Sequence, residues 1–156
     1  MDIKRIKLNL LLLLIIKSFV LSANEVIPEE VGYWCGYRTD PQSDITLDML
    51  ATKPSVTQVR LAFIGPAKDS SVDISYLCSI HSADTIKAWV KTLRAVGKEV
   101  TISFMDSPTV SWQNVDIKKF ASSLSQLVEA WDLTGIDIDG ESDCSDFAQT
   151  MIKIAQ

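Results

Sequence analysis

This sequence is short of the residues from which metal sites and histidine-based triads are built. It has three cysteines (Cys35, Cys78 and Cys144) and a single histidine, His81. No Cys-x-x-Cys pair occurs, which argues against a Cys/His zinc site. A Ser-His-Asp triad would have to use His81, which lies just ahead of an expected helix start at Ser82, so His81 reads as an ordinary loop or surface residue. Calcium loops fail as well. One starting at Asp137 would need Gly and Glu where Ser142 and Ala148 stand, and one starting at Asp139 would need them at Cys144 and Thr150. No metal and no cofactor is expected. In an oxidising compartment one disulfide would be favoured, with the odd thiol left free or without its partner.

Positive charge is also scarce, with 15 Lys and Arg against 20 Asp and Glu and a formal net charge of −5. Long apolar runs are absent except at the start. There Lys4, Arg5 and Lys7 precede an apolar stretch over 8–16 that only Asn9 interrupts, and Lys17 closes it. That stretch is about half of what a membrane span needs. Small residues follow at Ser22 and Ala23, the pattern of a secretory signal peptide. Cleavage after Ser22 fits the small-residue rule better than cleavage after Ala23, where Leu21 would occupy the −3 position. We count residues 1–23 as the leader, which makes the chain a secreted protein, extracellular or periplasmic. Losing its four basic residues and one acid takes the net charge from −5 to −8. So acidic a domain is a poor partner for nucleic acid or, once the leader is removed, for anionic membrane. A neutral polysaccharide or oligosaccharide remains compatible with it.

What is present is an alternation of strands and helices. An aromatic-rich strand over 31–37 precedes a short helix over 45–51, and an apolar strand over 56–64 ends at Gly65-Pro66. Ser82 caps a helix whose stripe is Ile86, Trp89, Val90, Leu93 and Val96, with Gly97 at its end. A third strand over 99–104 is followed by a helix capped by Asp116, with Phe120, Leu124, Leu127 and Trp131 on one face. A fourth strand carries an acidic motif, and a last helix begins near Ser145. Repeated strand–helix alternation predicts a parallel α/β sheet in a single domain, 24–156.

The acidic motif is the most informative stretch: Thr134-Gly135-Ile136-Asp137-Ile138-Asp139-Gly140-Glu141. Its period of two sends Asp137, Asp139 and Glu141 to one face of the strand and the isoleucines to the other. Aligned carboxylates repel and cost stability, so folding alone does not ask for them. Coupled acids also push their pKa values apart, which suits acid–base chemistry. The plain alternative is an exposed acidic strand edge.

The same residues resemble the Asp-Gly-x-Asp-x-Asp-x-Glu signature of glycoside hydrolase family 18, the chitinases and endo-N-acetylglucosaminidases. Gly135, Asp137, Asp139 and Glu141 match it. Thr134 stands in place of the first Asp, and Gly140 where an aromatic is common. The resemblance implies that Glu141 protonates the glycosidic oxygen and that Asp139 holds the substrate's 2-acetamido group, whose carbonyl oxygen is the nucleophile. It implies that Asp137 tunes Asp139, with weaker hydrogen-bond support where Thr134 replaces a carboxylate. Val31-Gly32-Tyr33-Trp34 resembles the family's first strand, with Tyr33 lining the site. Leu61-Ala62-Phe63 resembles the second. Ser103 sits at the third-strand motif, where Met105 and Asp106 replace its glycines.

The family's fold is a (β/α)8 TIM barrel with its site at the C-terminal ends of the strands. Only about the first four βα units are read here, and a full barrel takes about 250 residues. The final Met-Ile-Lys-Ile-Ala-Gln falls in mid-helical pattern without a stop signal. An incomplete chain, prone to self-association through its open sheet edges, is therefore expected. Trp112, in the loop after the third strand, is a candidate for stacking on a sugar, with core packing as its alternative. The expected function is cleavage of β-1,4-linked N-acetylglucosamine polymers such as chitin. The alternative is a non-hydrolytic carbohydrate-binding relative or an inactive remnant.

Overall fold

The computed structural model describes residues 29–38, 45–105, 112–140 and 145–154. The expected leader over 1–23, Asp106, Glu141 and Cys144 lie outside the described residues. Four parallel strands form the sheet: β1 (Glu30–Cys35), β2 (Val56–Pro66), β4 (Glu99–Met105) and β5 (Gly135–Asp139), in the order β1-β2-β4-β5. A two-residue strand, β3 (Val72–Asp73), pairs antiparallel with the end of β2. Among the described residues the α-helices are α1 (Ala83–Ala95), α2 (Ile117–Ala130) and α3 (Ser145–Ile154).

Alternation gives the sheet two unlike faces. Val59, Leu61, Ile64, Val100, Ile102 and Phe104 are at most 2% exposed and form one core with Ile86, Val90 and Leu93 of α1 and Phe120 and Leu124 of α2. Each such side chain, fully buried, contributes roughly 1.5–3 kcal/mol. The alternate positions carry Tyr33, Arg60, Thr101, Ser103, Asp137 and Asp139, and these make a polar face. Trp34 points to the helix side, where its indole meets His81 and Trp89.

Both predicted caps close their helices. Ser82 accepts from the Thr85 amide, and Asp116 from those of Lys118 and Lys119. Gly97, at φ +81°, donates to the Arg94 carbonyl while Lys98 reaches back to Leu93, a left-handed stop that glycine adopts without strain. The short helix expected over 45–51 is instead a 3-10 helix, Leu47–Thr52. Pro54 accounts for its brevity, because it biases the preceding Lys53 to the extended conformation seen there (φ −96°, ψ 105°). β3 falls in what the sequence presented as loop, its Val72 amide held by the Ser123 hydroxyl of α2.

One extra residue in β2, Phe63, separates the Ala62↔Ser103 and Ile64↔Phe104 pairs. The bulge keeps Ile64 in the core and turns the Phe63 ring toward Tyr33 and Tyr37. After β1 the chain turns at Gly36, where a Cβ would lie 2.1 Å from the Leu77 carbonyl oxygen. Gly32, in the strand, has nothing within 4 Å of such a Cβ. Gly36→Ala should therefore destabilise the fold by about 1–3 kcal/mol through overpacking. Gly32→Ala should be neutral or slightly stabilising. Thermal melts of the two variants check the contrast, which equal costs would remove.

Candidate active site

Four strands each send one side chain to a common point on the polar face. The Tyr33 hydroxyl donates to Asp137 Oδ2 at 2.8 Å, and the Ser103 hydroxyl donates to the same oxygen at 2.7 Å. Arg60 Nη1 lies 3.0 Å from Asp137 Oδ1 and donates to the Tyr33 oxygen at 2.9 Å. Its guanidinium also stands over the Tyr33 ring, 5.3 Å from the centroid. The Asp137 side chain is 14% exposed, so this ion pair is less screened than a surface one. Ser103 is fully buried.

The register accounts for the convergence. Ser103 pairs with Asp137 across β4 and β5, and Tyr33 pairs with Arg60 across β1 and β2. Arg60 and Tyr33 lie level with Thr101, two residues before Ser103, and their length lets them rise to the carboxylate. Arg60 is the residue that sequence reasoning missed. Its signal was a charge between Val59 and Leu61 in an otherwise apolar strand, where a buried cation needs a partner.

Thr134 does not support Asp137. Its hydroxyl donates to the Val100 carbonyl at 3.0 Å, securing the entry to β5. The weaker support expected from the missing carboxylate is made up from three other strands. Asp139 follows on the same face toward the C-terminal end of β5, opposite Met105, and accepts no hydrogen bond from any described residue. Of the acidic array, Asp137 is thus fixed and paired with a cation, and Asp139 lies within the field of the same guanidinium.

Tyr33 is 46% exposed and so offers a face to solvent while its hydroxyl is engaged. Desolvation pushes its phenol above the usual value, the Asp137 carboxylate adds to that, and the hydrogen bond from Arg60 opposes it. Trp112 is not brought to this site. It is 6% exposed and packs edge-on against Phe120 at 5.2 Å, a core position beneath the sheet. Cys35 and Cys78 are free thiols, and burial raises that of Cys78. A cavity of about 290 Å³ runs along β1, lined by Gly32, Tyr33, Trp34, Ile45, Leu50 and His81 among others.

No family model and no curated protein sequence matches the chain at a significant level. Solved structures do. A family GH18 chitinase from Chromobacterium violaceum superposes with a TM-score of 0.63 at 20% identity, over 83% of this chain and 36% of that one. A GH18 chitinase from Pseudoalteromonas aurantia gives 0.62 at 22%, over 82% and 50%. A chitinase from Aspergillus fumigatus gives 0.62 at 18%, over 81% and 48%. Over about four-fifths of its length the chain therefore has the fold of part of a family 18 catalytic domain, a stretch of TIM barrel. It spans between about a third and a half of those relatives.

The cluster makes a titration prediction. Asp137→Asn removes a negative charge beside the Tyr33 phenol and should lower its pKa, whereas Arg60→Met removes a stabiliser of the phenolate and should raise it further. Because the folded value lies above the unfolded one, Tyr33 stabilises the fold below pH 10 and loses that contribution as pH climbs through the folded value. The ring ¹³Cζ shift followed against pH reads both variants. Shifts in the same direction would mean that the four side chains do not share one site.

Proposed function

We propose that this chain carries the acid-bearing part of a family 18-type glycoside hydrolase site that cleaves β-1,4-linked N-acetylglucosamine polymers. The observation that carries the reading is Asp137, held by donors from three other strands, with Asp139 next to it on the same face of a sheet with the chitinase fold. The motif supplies the roles. Glu141 gives its proton to the glycosidic oxygen as the bond to the anomeric carbon breaks, and the acetamido carbonyl oxygen forms the new bond to that carbon. Asp139 orients the acetamido group and meets the positive charge that develops on it. Asp137 is a fixed anion that orders Asp139. Water then opens the cyclic intermediate, with Glu141 taking back a proton.

A second reading has its own support. Tyr33 is 46% exposed in this chain, which spans 36–50% of the relatives above. A cleft with one wall binds sugar without holding it in reacting geometry, on which much of an enzyme's rate depends. Taken alone, the 156-residue chain then acts as a carbohydrate-binding protein or an inactive remnant. In both readings residues 1–23 direct the chain to secretion, and the N-terminal residue of the exported product reports that directly.

Joined to the remaining units of a barrel, the sequence should cleave chitin oligomers and leave cello-oligomers, which lack the acetamido nucleophile, intact. Glu141→Gln should lower kcat by about 10²–10⁴ with little change in binding. Asp139→Asn should lower kcat more than it raises KM. The chain alone should show no measurable turnover. Comparable cleavage of cello-oligomers would rule out the substrate-assisted route, and ordinary turnover by Glu141→Gln would remove Glu141 as the acid.

A further inference from the structure

The sheet ends at two strands with one neighbour each. Among the described residues β1 pairs only with β2 and β5 only with β4, so each presents backbone donors and acceptors along its outer edge. Neither strand contains the lysine or proline that commonly guards such an edge.

Apolar surface gathers at the same two places. The cavity of about 290 Å³ is lined by five consecutive residues, Gly32, Tyr33, Trp34, Cys35 and Gly36. Strand side chains alternate between the faces of the sheet, so a cavity that meets all five follows the edge of β1. Ile45 belongs to its wall and is half-exposed, as is Met49 in the 3-10 helix that follows. At the other end of the sheet, Ile138 of β5 is partly open on the helix side, two residues after Ile136, which packs against the core. α3 is anchored there by Met151, which is buried in the core, yet its neighbour Ile152 is 60% exposed.

Curvature decides what can cover both edges. The sheet superposes on TIM-barrel chitinases with TM-scores of 0.63 and 0.62, and such a barrel completes its circle in eight strands. Four parallel strands with that curvature turn through about half a circle. Related by a twofold axis along the barrel, two copies bring β5 of each beside β1 of the other, with all strands still parallel. Head-to-tail contacts whose rotation closes give a ring and not a fibre. Once the first joint has formed the second is intramolecular, which favours the closed pair over an open row.

We propose that two copies of this chain close into one eight-stranded barrel, β5 of each pairing in parallel with β1 of the other. α3 of each copy covers the cavity beside the other's β1 and sets Ile152 against Ile45. A right-handed crossover carries the helix after a strand toward the next strand of the sheet, which places α3 over that joint. A second copy brings the strand direction, the curvature and the number of strands that the gap requires. Asp137 of each copy is already paired with Arg60, so closure buries no unpaired charge at that residue. Closure follows from the fold alone and holds whether the polar face cuts sugar or only binds it.

Sedimentation equilibrium of the exported chain should give twice the single-chain mass and no larger species. Ile45→Glu and Ile152→Glu each put a charge into both joints and should weaken the dimer about tenfold or more. Mixed in equal amounts, the two variants should recover dimer, because one of the two joints then carries neither substitution. That recovery also shows that both variants fold. A single-chain mass at about 100 μM, a hundredfold above a Kd of about 1 μM, would overturn the closed pair. So would a ladder of larger species, or a mixture that recovers nothing. A dimer weakened by only one of the two substitutions would mean that like edges meet, and would overturn it too.

Discussion

A largely buried carboxylate on a strand must be compensated, or it works against the sheet that carries it. Asp137 meets that requirement with one cation and two hydroxyls, drawn from β1, β2 and β4. The compensation does more than offset charge. It ties the first strand to the last across the polar face, so the order β1-β2-β4-β5 and the register of each pair are all needed for the four groups to meet. A slip of one residue in any strand would send its member to the helix side. The acid cluster and the parallel sheet are mutually dependent.

The helix side supplies the rigidity on which this relies. Leu61, Ile102 and Phe104 alternate with Arg60, Thr101 and Ser103, so each of these three polar positions is backed by a fully buried neighbour. The bulge at Phe63 is where the two demands meet. It lets β2 keep Ile64 in the core while delivering an aromatic ring to the mouth of the site. Packing on one side thus sets the geometry of the polar cluster on the other.

Most of the architecture was legible because each signal was local. The Ser82 and Asp116 caps, the stripes of α1 and α2, and the left-handed stop at Gly97 each lie within a few residues, and each is present save for Val96, which follows α1 and is exposed. The period-two motif placed Asp137 and Asp139 on one face. Non-local matters were hidden. Arg60 lies 77 residues from Asp137 in sequence, and no pattern within β2 names its partner. β3 and the 3-10 helix are too short for periodicity to register. Trp112 reads as a loop residue, yet its large ring is drawn into the gap beside Phe104 and Phe120, where burying it is worth more than leaving it in water.

The central claim is that the polar face around Asp137 holds sugar. Backbone and tyrosine-ring NMR shifts recorded while a chitin oligosaccharide is added to the chain test it most directly. The account predicts that the largest changes fall on Tyr33, Ser103, Asp137 and Asp139, with the helix face quiet. Changes confined to the cavity beside Trp34 and His81, or none at saturating sugar, would contradict it.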